Sequence, residues 1–265
     1  MTATPETAPT PVEQDGGSYD VVIVGAGISG IGAAYRIAER NPRTRYVILE
    51  RRDRIGGTWD LFRYPGVRSD SSIFSLSWPW EPWTRKEGVA DGDHIREYME
   101  DTARKHGIFG HIHFHTYVRS ADWDSSTDTW TVHVDENGTP KTYRGRFVFF
   151  GSGYYNYDEG YTPDFPGIEN FAGTVVHPQF WPEDLDYTGQ KMVVIGSGAT
   201  AISLIPALAQ KASKVTMLQR SPTYLFSGSR VNPINEAIRK AFPRKISHLM
   251  VRFIATLFEG VLWFL

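Results

Sequence analysis

Two short glycine-rich runs carry the most specific chemistry in this sequence: Gly25-Ala26-Gly27-Ile28-Ser29-Gly30 and Gly196-Ser197-Gly198-Ala199-Thr200-Ala201. Each follows a short apolar run and opens a helical pattern. In such a strand–loop–helix unit the first glycine permits the tight turn and the second lets a pyrophosphate approach the backbone. The third lets the helix pack closely on the strand, and alanine, as at Ala201, is an accepted variant there. The helix then offers its unpaired N-terminal amides to the phosphate. The strand after the first unit ends in Glu50, 20 residues after Gly30. A carboxylate there accepts hydrogen bonds from ribose hydroxyls and repels a 2′-phosphate. The corresponding strand of the second unit ends in Gln219-Arg220-Ser221. Arginine can bind a 2′-phosphate through two hydrogen bonds and Ser221 can add a third, which favours NADPH over NADH. Two dinucleotide sites in one chain imply electron traffic between two cofactors.

The elements that must position these loops are those of an α/β fold with two Rossmann-like dinucleotide-binding domains. Residues 20–24, 46–50 and 191–195 read as strands of parallel sheets, and residues 28–40 as the first helix. The second loop's helix carries Ile202, Leu204, Ile205 and Leu208, with Pro206 expected to bend it. Apolar positions at Ile95, Tyr98, Met99 and Ala103 predict a helix over 93–106, with Gly107 as its stop. Residues 114–123, 130–134 and 141–143 read as a small antiparallel insert with a turn at Asn137-Gly138. Residues 147–150 follow as a buried strand. His111, His113 and His115 alternate, which would set them on one strand face, but no other ligand cluster supports a metal, and none is expected. Trp78-Pro79-Trp80 and Pro82-Trp83 form an aromatic loop that either walls a pocket or packs on the body of the protein. Residues 231–265 read as helix broken near Pro243. Arg252 and Glu259 inside its apolar run argue against a membrane span. A packed helix, or one lining a substrate cavity, fits better, and loose attachment to a membrane surface stays open.

Between the two loops lies the stretch Phe-Ala-Gly-Thr-Val-Val-His-Pro-Gln-Phe-Trp-Pro at residues 171–182. Its Phe171, Gly173, His177, Trp181 and Pro182 resemble the fingerprint of Baeyer–Villiger flavin monooxygenases. The related nitrogen- and sulfur-oxidising flavin monooxygenases end that pattern without the tryptophan-proline pair. Arg51 and Gly56-Gly57-Thr58-Trp59 resemble the segment that lies against FAD in two-dinucleotide flavoproteins, which assigns the first loop to FAD. Residues 64–70 also resemble the Baeyer–Villiger family, in which the position of Asp70 lies near the flavin and pairs with an arginine from much later in the chain. Gly151-Ser152-Gly153-Tyr154-Tyr155 resembles the family's linker out of the FAD domain. The likeness runs nearly continuously over residues 20–224. It looks nearest to the ethionamide-activating branch, through residues 154–158 and 177–189.

Composition marks residues 1–17 as a disordered leader and the apolar pattern marks 231–265 as a helical segment; the resemblance implies the N-terminal part of an FAD-binding domain (18–155) and an NADP-binding domain (156–230) between them. It implies a monooxygenase in which NADPH reduces FAD and oxygen is captured as a C4a-peroxyflavin. That species converts ketones to esters or lactones, or alternatively oxygenates sulfur or nitrogen. Gly25, Gly27, Gly30, Glu50, Arg51, Thr58, Trp59 and Asp70 would serve FAD. Gly196, Gly198, Ala201, Arg220 and Ser221 would serve NADPH. His177 and Trp181 would couple cofactor binding to domain movement, completing with Asp70 the set assigned to catalysis. The partners implied are O2 and a small ketone or sulfide.

Bulk composition narrows the classes further. A formal charge of −2 makes no electrostatic case for nucleic acid. With no cysteine in the chain, disulfides, thiolate metal sites and the redox cysteine pair of a flavin disulfide reductase are excluded. The absence fits a cytoplasmic protein. Residues 1–17 lack a basic end followed by an apolar run and are not a signal peptide. The chain stops on Gly260-Val261-Leu262-Trp263-Phe264-Leu265, an uncapped apolar pattern that reads as a truncation. A non-catalytic nucleotide-binding fragment is therefore the rival reading. Oligomeric state is not legible here.

Overall fold

The computed structural model describes residues 13–225 and 229–263; residues 1–12, part of the expected leader, lie outside that range. The chain forms two compact units, Met1–Gly57 with Met99–Tyr154 and Thr58–Tyr98 with Tyr155–Leu265. Residues 58–98, placed by sequence with the first glycine loop, thus group with the second.

In the first unit, β1 (Gln14–Val24), α1 (Ile28–Arg40) and β2 (Tyr46–Leu49) build the expected strand–loop–helix–strand motif. β1 starts at Gln14, so residues 14–17 are strand and not leader. The chain passes through α2 (Thr58–Leu61) and α3 (Ile73–Leu76) of the second unit, and α4 (Gly92–Lys105) brings it back. Gly107, at φ 70°, ends that helical stretch in the left-handed region that favours glycine. β3 (Ile112–His113), β4 (Thr116–Asp124), β5 (Thr129–Glu136) and β6 (Thr139–Phe150) follow. One six-stranded sheet results, in the order β3-β2-β1-β6-β5-β4. β1 runs parallel to β2 and β6, while β4, β5 and β6 form an antiparallel meander. The insert is therefore an extension of the sheet that carries the first glycine loop: β6 joins residues 141–143 and 147–150 in one strand, pairing with β5 at one end and β1 along its length. Asn137 (φ 53°) and Gly138 (φ 79°) make the two-residue turn between β5 and β6, both in the left-handed region such turns require. Val22, Val47, Leu49, Val132, Val134 and Tyr143 form the core against which the sheet closes.

Two expectations are corrected here. Residues 147–150 were expected to be buried, yet Phe147 is 64% exposed and Phe149 and Phe150 are also exposed; the apolar run is legible, but what covers it is a tertiary matter. The three histidines do not share a strand face either. His111 belongs to a 3-10 turn and stacks on Tyr46, and His113 Nδ1 lies 2.7 Å from the Tyr143 hydroxyl. His115 turns away at φ 53°. Among the described residues no cluster of His, Cys, Asp or Glu could hold a metal ion.

In the second unit β7 (Lys191–Ile195), α5 (Ala199–Leu208) and β8 (Lys214–Leu218) repeat the motif with two parallel strands. Pro206 lies inside α5, as expected. Val193 is 63% exposed and Ile195 is exposed too, so β7 is not the fully buried strand its composition suggests. α6 (Pro233–Ala241) and α7 (Arg244–Trp263) are separated at Phe242-Pro243. No described helix is long and apolar enough to cross a membrane.

The charged residues within α7 have definite tasks. Arg252 donates to the backbone oxygens of Ser77 and Phe74, at the C-terminal end of α3. Glu259 accepts from Ser72 N at 3.1 Å and Ser75 Oγ at 2.9 Å, at the N-terminal end of α3. Both charges match the helix dipole of α3, the acid at its start and the base at its end. One turn before Arg252, His248 Nε2–H donates to Trp78 O at 3.2 Å, and Trp78 and Trp83 are buried. The aromatic loop therefore packs on the body of its own unit.

Burial, reinforced by the guanidiniums of Arg252 and Arg244, holds the His248 pKa below its ordinary 6.5 despite the bond to Trp78 and the nearby Glu81. The unfolded chain therefore takes up this proton first as pH falls through about 6.5, and folding stability falls with it. Urea midpoints at pH 7.5 and 5.5 should show this loss, and His248→Gln should show a smaller one.

Candidate functional site: two open nucleotide loops

The first loop is built by close approach. A Cβ at Gly30 would lie 1.9 Å from Gly25 O, so only glycine fits. Gly25 itself sits at φ 96°, and a Cβ there would meet Gly151 O at 2.8 Å, at the end of β6. The buried Glu50, 4% exposed, closes the loop from the other side. Its Oε2 accepts from Ala26 N at 2.6 Å and its Oε1 from Arg52 N at 2.9 Å. This carboxylate thus shapes the glycine loop in addition to any ribose contact; a carboxylate has lone pairs for both. α1 has Gly27 as N-cap, no side-chain cap and no acid in its first turn. Its leading amides are therefore not taken by a side-chain cap, which fits a bound phosphate. Gly56 N donates to Ala26 O at 3.3 Å, and Gly57 backs on Gly27, bringing the second glycine pair to the loop. Arg51 lies over the Tyr117 ring, 4.3 Å from its centroid.

The second loop has the same outline with more room. Gly198 caps α5 without a side-chain bond and no acid stands in the first turn. Neither Gly196, at φ 120°, nor Gly198 would bring a Cβ within 4 Å of another group, which leaves space for a ligand to approach the backbone. Ala201, in the third place, is buried. Thr223 Oγ1 donates to Ser197 O at 2.9 Å, and Ser197 Oγ to Ser221 O at 3.3 Å, tying the loop to the segment after β8. Arg220 and Ser221 are both exposed, and Arg220 makes no ion pair among the described residues.

The remaining predicted residues fall in the second unit. Thr58 and Trp59 begin α2. Tyr64 bonds to Ser203 of α5 at 3.1 Å between hydroxyl oxygens, and a Cβ at Gly66 would strike Ser203 O at 2.6 Å, so residues 64–66 lie against the second loop's helix. Asp70 is exposed, touches only Ser71 Oγ at 3.5 Å and forms no ion pair among the described residues. His177 Nδ1 accepts from Gln179 N at 3.2 Å and caps the 3-10 turn Pro178–Phe180. A Cβ at Gly160 would meet the His177 ring at 2.5 Å. Trp181 meets Tyr187 edge to face at 6.1 Å and packs on the cluster of Tyr64, Tyr187, Leu204 and Leu208. Among the described residues no hydrogen bond or ion pair joins Asp70 to His177 or Trp181. Gln179, buried with Nε2 on Asn156 O at 2.6 Å, pins the fingerprint to residues just after the linker. Nothing in the glycine or aromatic spacing pointed to it.

The model of the pyridine nucleotide-disulphide oxidoreductase family matches residues 22–255. The FAD-containing monooxygenase EthA of Mycobacterium tuberculosis is 52% identical over 235 residues, 88% of this chain and 48% of that protein. Among solved structures, an oxidised steroid monooxygenase bound to NADP superposes with a TM-score of 0.72 at 33% identity, over 84% of this chain and 42% of that one. A cyclohexanone-bound cyclohexanone monooxygenase gives 0.73 at 30% identity, over 84% and 43%. The chain thus spans about half the length of the curated relatives it matches.

The doubly bonded carboxylate at the first loop sets a clear expectation. Glu50→Ala leaves the buried Ala26 amide and the part-buried Arg52 amide without this acceptor and should destabilise the first unit by about 1 to 3 kcal/mol. A urea titration followed by far-UV circular dichroism measures it. Glu50→Gln, which keeps one acceptor oxygen, should lose less.

Proposed function

We propose that this chain, which belongs to the pyridine nucleotide-disulphide oxidoreductase family and within it to the flavin monooxygenases, supplies the FAD and NADPH sites of an enzyme that inserts one oxygen atom of O2 into a ketone. The observation that carries the reading is the pairing of two open glycine loops with opposite endings. One is closed by the buried acid Glu50, and the other is followed by Arg220, exposed and without an ion pair among the described residues. Disulfide chemistry, which the family's name includes, has no cysteine to use in this chain.

FAD, when bound, supplies the redox and oxygen-activating chemistry; the residues supply binding and orientation. The amides at the start of α1 take the pyrophosphate, with Gly25, Gly27 and Gly30 allowing its approach, and Glu50 accepts from the ribose. Arg51, Thr58 and Trp59 are assigned to the same cofactor. At the second loop Gly196, Gly198 and Ala201 admit the NADPH pyrophosphate against the start of α5, while Arg220 and Ser221 hold the 2′-phosphate. His177 and Trp181 position the joint between linker and second loop, supported by the Gln179–Asn156 bond and the Trp181–Tyr187 contact. Asp70 is assigned to the flavin side of the reaction, and its exposed carboxylate is available for an arginine partner.

The ketone assignment rests on the tryptophan-proline ending at Trp181-Pro182 and on neighbours that include a cyclohexanone-bound enzyme. Sulfur or nitrogen oxygenation is the alternative reaction at the same site. Paired ketone and sulfide substrates, with product analysis, separate the two in a preparation that turns over.

The cofactor preference is testable in this chain alone. Arg220→Ala should raise the Kd for NADPH about tenfold or more, the worth of one lost charge-assisted contact, and leave NADH binding nearly unchanged. Fluorescence titration with the two nucleotides measures both. Equal weakening toward each would remove Arg220 from 2′-phosphate recognition.

A further inference from the structure

Away from both glycine loops, the second unit holds a cavity of about 390 Å³ between the aromatic loop and the two last helices. That volume lies within the range of small-molecule sites. Phe74, Trp83 and Val251 line it and are all buried. Its other lining includes four cations, Lys86, Arg239, Lys240 and Arg244, against one carboxylate, Glu236.

The acids nearby do not neutralise these cations evenly. Glu236 is engaged by Arg239 at 2.9 Å, and Glu81 lies 3.8 Å from Arg244. Lys86 and Lys240 have no ion pair among the described residues, and both are exposed. The two ammonium groups come from segments more than 150 residues apart in sequence (240 − 86 = 154) and line one cavity with an apolar floor.

The walls are tied to each other. Arg239 of α6 donates to Arg85 O at 2.7 Å and also to Thr84 O, fixing the loop that carries Lys86. His248 and Arg252 of α7 bond to Trp78 O and Ser77 O, at the start of the same loop. A cavity held in this way exists before any ligand arrives, which lowers the ordering cost of binding.

We propose that this cavity binds a small organic anion, an acidic head group on an apolar ring or short chain, with the body against Phe74, Trp83 and Val251 and the head between Lys86 and Lys240. Apolar burial supplies attraction and the unpaired cations select for charge. A free acid and the acidic head of a lipid share this chemistry, and the test separates them. The inference does not depend on the monooxygenase reading, because the cavity uses neither glycine loop.

The probe is 2-naphthoate, titrated into the 265-residue chain by calorimetry and by tryptophan fluorescence, with neutral 2-naphthol, inorganic phosphate and phosphatidylglycerol vesicles alongside. Naphthoate should bind one to one, at least tenfold more tightly than naphthol, and weaken as salt is raised. The surface variant Lys86→Glu/Lys240→Glu should lose at least tenfold in naphthoate affinity with its far-UV spectrum and urea midpoint retained. NADPH should not displace naphthoate. Saturable vesicle binding that naphthoate competes away would assign the lipid head as the source of the anion; absence of vesicle binding would assign the free acid. Equal affinity for naphthoate and naphthol, no one-to-one saturation, or an unaltered affinity in the double variant would overturn the proposal. Tight binding of phosphate alone would overturn it too, by removing the role of the apolar floor. Failure of Arg220→Ala to discriminate NADPH from NADH would leave these outcomes untouched.

Discussion

The first nucleotide unit depends on one close approach. α1 starts so near the end of β1 that the hydrogen at Gly30 occupies the only space left beside Gly25 O, where a methyl group would sit at 1.9 Å. That contact fixes the direction of the helix, and with it the direction of its leading amides. Glu50 then fastens the loop by accepting from Ala26 N, and the end of β6 backs it through Gly151. The sheet order places β1 between β2 and β6, so the three pieces of chain that shape the loop are neighbouring strand ends. The first glycine loop is thereby shaped by backbone and by the Glu50 carboxylate.

The second unit solves a different problem. Residues 58–98 hold α2, α3, the first half of α4 and the aromatic loop. They are held in part by charged side chains of α7. Arg252 and Glu259 of α7 bind opposite ends of α3, and His248 holds the loop that follows. Charges that looked in sequence like reasons against a membrane span are, in the fold, the pins that orient α7. Tyr64 and Gly66 attach the same segment to α5, which gives the second loop's helix its packing partner.

The two glycine loops, the helices that follow them, the Asn137-Gly138 turn and the break at Pro243 were legible because each depends on local backbone geometry. Glycine spacing, left-handed turn residues and proline all act within a few residues. What could not be read depends on distant partners. The apolar runs at 147–150 and 191–195 looked like strands buried on both faces, since composition records apolarity and not what covers it. The histidine alternation failed because residue 115 adopts a left-handed conformation that breaks the strand period. The grouping of residues 58–98 with the second loop, the two hydrogen bonds that Glu50 accepts from backbone amides and the Gln179–Asn156 pin all arise from contacts that no spacing rule encodes. Among the candidate site residues, Gly25, Gly30 and Glu50 come together at the first loop, whereas the role of Asp70 rests on the family resemblance.

On the proposed reading the first loop holds FAD and the second NADPH, so that reducing equivalents pass from one to the other. The most direct measurement is the visible spectrum of the purified chain after FAD addition and desalting, followed anaerobically on adding NADPH or NADH. The account predicts a yellow protein whose flavin absorbance is bleached preferentially by NADPH. A protein that stays colourless after exposure to FAD, or a bound flavin reduced equally by both nucleotides, would contradict it.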